Sequence, residues 1–214
     1  MFPDLTRDDV FRLETRRLWL RWPRLADAQA IVRLAGDKAV AEMTALIPHP
    51  YPPDGAECFV FEARKANAEG TGLQMAITPK GKPNSLIGVV GIGPAHDGTA
   101  FPHLGYWLGA PSWGHGYATE AAQALVDAFF AYTDGQELAS SARVINPASR
   151  RVLEKCGFAH QGSGLKAFPA RGGLFPVDHF RVGRRTWQSL KSWSHAGYVP
   201  TAAPDAAELA TTLQ

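Results

Sequence analysis

His103-Leu104-Gly105-Tyr106-Trp107-Leu108-Gly109-Ala110-Pro111-Ser112-Trp113-Gly114-His115-Gly116-Tyr117-Ala118-Thr119-Glu120-Ala121 decides how this chain reads. It is a strand, then a Gly-x-Gly turn, then the start of a long helix over about 116–132, with Ala121, Leu125, Ala128, Phe129 and Tyr132 on one face. A helix start leaves backbone N–H groups without partners, and the helix dipole adds a partial positive charge there. Two glycines remove the side chains that would block close approach, so such a turn can hold a pyrophosphate without lysine or arginine. A P-loop would need Gly-Lys-Ser/Thr, and Gly116 is followed by Tyr117-Ala118. A dinucleotide fingerprint would need Gly or Ala where Thr119 stands, after a parallel βαβ unit. Taken alone, the turn also serves as an ordinary tight bend, since glycine suits any of them.

Outward from this stretch, strands are expected over 73–78, 86–92 and about 101–108, joined by turns at 79–84 and 94–98. Such meander spacing implies antiparallel pairing. Upstream, residues 17–22 alternate, with Leu18, Leu20 and Trp22 on one side of a half-buried strand that Pro23 ends. Helices are expected over 27–34, 38–46 and 56–68, with a proline-rich loop at 47–55 that is a functional loop or a rigid connector. Downstream, a short strand is expected at 142–145. Asn146-Pro147 then opens a helix, Asn as N-cap and Pro at the first position, and Gly157 closes it. A strand from Phe158, a hairpin tip at Arg171-Gly172-Gly173 and a last strand at 177–182 follow. The pattern is α+β, a single sheet with helices packed on it.

The 214 residues suit one domain, with 1–12 as an arm, 13–190 as the domain and 191–214 as a tail. Forty-five per cent hydrophobic and 20% charged residues are too apolar a mix for a disordered chain. The 22 Lys+Arg against 20 Asp+Glu give no concentrated basic charge, so no nucleic-acid partner is expected. No signal peptide or bilayer-length apolar run is present, so no membrane partner and a cytoplasmic location are expected. Cys58 and Cys156 cannot build a disulfide framework, and neither has a Cys or His at ligand spacing, so no metal is expected.

Asn146-Pro147-Ala148-Ser149 adds a second constellation, with Asn146 and Ser149 three apart at a helix entrance. Together the two motifs resemble the GNAT superfamily of N-acetyltransferases, and within it the RimJ/RimL-like branch that acetylates ribosomal-protein N-termini. The likeness runs from about Leu13 to Trp187. Leu13-Glu14-Thr15-Arg16-Arg17-Leu18 resembles the opening strand of that branch. Gly105-Tyr106-Trp107-Leu108 with Trp113 to Ala121 resembles its acetyl-CoA signature. Asn146 to Ser149 with Leu153-Glu154-Lys155-Cys156-Gly157-Phe158 resembles its second motif, and Val177-Asp178-His179 with Trp187 its closing strand.

The resemblance implies a GNAT fold: one mixed, mostly antiparallel sheet, splayed in the middle, with helices on both faces. It implies acetyl transfer from acetyl-CoA to a primary amine, on a peptide N-terminus or a small molecule, by a homodimer. Gly114, His115, Gly116, Tyr117, Ala118 and Thr119 would cradle the CoA pyrophosphate. Trp107, Leu108 and Gly109 would pair with the pantetheine arm, and Asn146 would touch it. Ser149 would contact the departing sulfur as a general acid. Many relatives carry Glu where His103 stands, and an imidazole accepts a proton near neutrality, so His103 is a base candidate or a partly exposed strand histidine. The substitution also leaves open a non-catalytic acyl-CoA-binding or regulatory module. Cys156 is expected to be a packing thiol, and direct attack in a ternary complex the mechanism. Trp22, Tyr51, Tyr106, Phe168 and Phe175, with His49, are candidate walls of an acceptor pocket, or core.

Overall fold

The computed structural model describes residues 1–94 and 101–195. Most of the turn expected at 94–98, and the tail from 196 on, lie outside the described residues. In chain order the elements are β1 (Arg12–Glu14), β2 (Leu18–Arg21), α1 (Ala28–Ala35), α2 (Lys38–Ala41), α3 (Pro53–Glu69), β3 (Leu73–Pro79), β4 (Gly88–Gly93) and β5 (His103–Leu108). They continue as α4 (Tyr117–Tyr132), β6 (Glu137–Arg143), α5 (Pro147–Lys155), β7 (Ala159–Phe168), β8 (Gly173–Gly183) and α6 (Arg184–His195).

The strands form one eight-stranded sheet in the order β1-β2-β3-β4-β5-β6-β8-β7. Every pairing is antiparallel except β5 with β6, which is parallel. Side chains alternate across the faces, and both faces are covered. Leu73, Met75 and Ile77 of β3, with Val90 and Ile92 of β4, join Leu125, Phe129 and Phe130 of α4 in the larger core. Ala76 and Val89 face the other way and pack against Ile31 of α1 and Val60 of α3. This two-sided burial accounts for the near-continuous apolar run at 86–92. Leu18, Leu20 and Trp22 share the α4 face as expected.

Several elements depart from the sequence expectations. The amino-terminal arm is anchored, because Phe2 is fully buried and packs edge-on against Phe129. Helix α2 stops at Ala41 rather than near residue 46. The strand expected at 142–145 is Glu137–Arg143, and Val144 and Ile145 are exposed. Trp187 stands on a helix, α6, rather than on the closing strand. Its indole donates to Asp127 Oδ1 at 2.8 Å and its ring stacks on Phe130, which docks α6 onto α4.

Candidate active site

The sheet opens between β5 and β6. Their register holds at one position, His103 opposite Ala139. Ala139 N–H donates to Pro102 O at 2.9 Å, and Ser140 Oγ donates to Leu104 O at 2.9 Å. Past these bonds the two strands part. On the other edge of β5, Gly109 N–H donates to Ile87 O at 2.9 Å. Antiparallel pairing alternates with period two, so the amides of Tyr106 and Leu108 point away from β4 and into the opening. Trp113 Nε1 donates to Leu108 O at 2.8 Å and folds the following turn back over the strand end.

That turn carries Gly114 at φ +78° and Gly116 at φ +77°, values that L-residues with side chains rarely adopt. Gly116 is the N-cap of α4, and no side chain caps the helix. The first-turn amides of Tyr117, Ala118 and Thr119 therefore remain available to an anion. Arg17 braces the turn from behind. It donates through its backbone N and its Nε to the two carboxylate oxygens of Glu120, both at 2.7 Å, and through a terminal nitrogen to His115 O at 2.9 Å. Its guanidinium lies 4.7 Å from the Tyr117 ring centre. Burial works against a charged Glu120, but hydrogen bonds from Thr15 and Arg17 outweigh it and hold the carboxyl below its ordinary range.

Asn146 Oδ1 caps α5 by accepting from Ser149 N–H at 3.0 Å. Tyr106 reaches across the opening: its hydroxyl donates to Ser149 O at 3.0 Å and lies 2.9 Å from Ser149 Oγ. Burial pushes the Tyr106 phenol well above its ordinary range, with the Ser149 bond only partly opposing, so the phenol stays neutral.

Two cavities of about 380 Å³ each meet here. The first runs between the glycine turn and α5. Of the residues expected to hold a cofactor, Trp107, Leu108, Gly114, Gly116, Tyr117, Ala118, Thr119, Asn146 and Ser149 line it. His115 and Gly109 do not: His115 stacks on Tyr117, and Gly109 is packed against Leu34. Arg151 and Lys155 line the same groove and were missed, although their i, i+4 spacing puts them on one face of α5.

The second cavity lies across β5 and is lined by His103, Gly105, Gln74, Lys166 and Phe168 among others. Tyr51 and Tyr106 also line it, whereas Trp22 belongs to the core and Phe175 packs against Phe168. His49 instead bonds Gly36 O through Nδ1 at 2.7 Å. Met43, Thr44, Tyr106 and Trp107 wall both cavities. Met43 and Thr44 belong to a roof over residues 42–47 that the far half of the sheet pins down. Arg143 donates to Glu42 O at 2.7 Å, Arg171 donates to Ala41 O at 2.6 Å and to Ile47 O, and Ala170 N–H donates to Ala45 O at 3.1 Å.

Among the described residues no group of three or more His, Cys, Asp or Glu is arranged to hold a metal ion, and no helix is long and apolar enough to cross a membrane.

An open mixed sheet, cleft beside an uncapped helix start, is the frame of an acyl-transfer enzyme that seats its acyl donor in the cleft. The chain belongs to the Acetyltransferase (GNAT) domain family, which it matches over residues 17–159, and is an acetyl-CoA-dependent acyltransferase. It is 26% identical over 175 residues to the uncharacterized N-acetyltransferase p20 of Bacillus licheniformis, a match that covers 82% of this chain and 97% of that protein. In fold it is similar to Mycobacterium smegmatis RimJ in complex with CoA-disulfide, with a TM-score of 0.73 at 19% identity, covering 91% of this chain and 98% of that one. It is also similar to the ribosomal-protein-S5-alanine acetyltransferase of Vibrio fischeri, with a TM-score of 0.68 at 17% identity, covering 83% and 98%.

Proposed function

We propose that the chain moves the acetyl group of acetyl-CoA directly onto a primary amine held in a ternary complex. The observation that carries this reading is the meeting of two cavities at the point where β5 and β6 part, with Tyr106 and Trp107 walling both. One side suits a long donor with a diphosphate, since unpaired helix amides and positive-φ glycines form its end. The Leu108 amide, aimed into the opening, would donate to the thioester oxygen and grip it harder as negative charge develops, an effect of large leverage in a site shielded from water. Ser149 would hydrogen-bond the departing sulfur, which leaves as the thiolate and takes its proton from solvent, with Tyr106 steering the serine hydroxyl. A thiol with a pKa of about 8.5 leaves readily, so this hydrogen bond adds a modest factor.

On the other side, His103 would take the proton of the attacking amine. The likeness to RimJ and to a ribosomal-protein-S5-alanine acetyltransferase supports a protein N-terminal amine as acceptor. Attack without an acyl-enzyme suits the cysteines: Cys156 is buried and its thiol is pushed up to about 12, far from the thiolate a nucleophile requires. Thiol release from acetyl-CoA, measured against varied amine concentration, tests the reading. Intersecting double-reciprocal lines, with no thiol in the absence of amine, are expected. Parallel lines or a burst of thiol from acetyl-CoA alone would replace direct attack with an acyl-enzyme.

A further inference from the structure

The acceptor-side cavity has a floor of bare backbone. Gln74 of β3, Gly91 of β4 and Gly105 of β5 stand in one cross-strand row, with Gly93 opposite His103 one step along. A Cβ on Gly105 would meet no heavy atom of the described residues within 4 Å. Packing therefore does not demand glycine there, and a side chain would project into the cavity itself. Strand alternation puts His103, Gly105 and Trp107 on one face, so Gly105 lies between the histidine and the wall that both cavities share.

At Gly91 the situation is the reverse. A Cβ would stand 1.8 Å from Gln74 Oε1 and 2.6 Å from its Nε2, so the Gln74 amide lies flat across Gly91. The backbone of Gln74 is already satisfied by Asn67, through bonds of 2.7 and 2.9 Å. Its side-chain amide lines the cavity and makes no hydrogen bond with any described residue. A half-buried primary amide in that position presents N–H donors beside a C=O acceptor, the complement of a peptide group. The described lining also contains Lys166, whose Nζ donates to Ser141 Oγ at 3.1 Å.

We propose that Gly105 and Gln74 select the acceptor: bare backbone at Gly105 keeps a lane open for the amine, and the Gln74 amide pairs with the first peptide group behind it. What is assigned is the part these two residues play in selecting the peptide amine proposed above, an inference that rests on the acetyltransferase reading. Ala-Ala-Ala and isopropylamine, the same branched amine without the amide, are the probes, and comparing their kcat/KM ratio across variants cancels their different basicities. Gln74→Leu should lower the preference for Ala-Ala-Ala by roughly ten-fold or more, the scale on which loss of a polar partner degrades selection. Gly105→Ala should cut kcat/KM for Ala-Ala-Ala by roughly ten-fold, the cost of a misplaced methyl, with CoA affinity and Tm retained; Gly105→Ser provides the same steric check. Unaltered acceptor kinetics in both Gly105 variants, or an unaltered ratio in Gln74→Leu, overturns the proposal. Turnover of isopropylamine but not of Ala-Ala-Ala by the wild type overturns it too, while leaving acetyl transfer standing. Absence of thiol release with every amine would instead remove the reading beneath it.

Discussion

His103 occupies the place where the branch it resembles carries glutamate, and the cavity it lines is the one across β5 from the glycine turn. An imidazole loses its capacity to accept a proton as pH falls through its titration near neutrality. His103→Gln should lower kcat by about 10²-fold, the usual scale for a positioned base; a variant with the wild-type rate would discard histidine as the base. Glu120 makes a second prediction, on stability rather than rate. Its folded carboxyl sits below the ordinary range, so its contribution to stability is present above the ordinary carboxylate value and is lost as pH falls through the acid range. The Tm gap between wild type and Glu120→Gln should be widest near neutrality and close in acid. A gap independent of pH would show that the Arg17–Glu120 contact acts through packing alone.

The elements nearest the site were the most legible in the sequence, because their signals are local. Asn146-Pro147 caps α5 with its own side chain, and the glycine turn announces its backbone conformation. Strand β6 hid because, Leu138 apart, Glu137 to Ala142 are small or polar, and their strand state comes from seven register positions with β8 rather than from propensity. Of the better strand formers, Val144 adds one last bond, to Pro176 O at 3.2 Å, and Ile145 lies outside the seven paired positions. Helix α6 hid behind Gly183, although Trp187, Leu190 and Lys191 have helical spacing; its anchor is Asp127, on another helix. The roof over 42–47 left no local trace, since the arginines that pin it are more than a hundred residues away. Arg171→Ala should cost about 1.5–3 kcal/mol, the worth of charge-assisted hydrogen bonds, in chemical denaturation. It should also raise the KM for the amine more than that for acetyl-CoA, since Ile47 lines only the acceptor cavity. Equal changes in both constants would mean that the roof serves the two cavities alike.

At the scale of the molecule, the near half of the sheet is tied to its first helix by a buried ion pair. Arg21 meets both oxygens of Asp27 at 2.8 Å, and the same carboxylate accepts from Arg24 N–H. Both partners are more than nine-tenths buried at the side chain. Asp27→Ala strands the guanidinium and should destabilise the fold by about 3–5 kcal/mol, read from a denaturant midpoint; a loss under 1 kcal/mol would show that water reaches Arg21. The short register between β5 and β6 has a broader consequence. Each half of the sheet owns its own antiparallel ladder, and among the described residues His103 opposite Ala139 is the one register position that joins them. Deuterium uptake should accordingly divide the protein into two blocks with separate opening free energies, the boundary falling at residue 139. The strands thus behave as two leaves of a book, and α4, which packs under β4 and β5 and carries both α5 and α6, is the spine that keeps them bound.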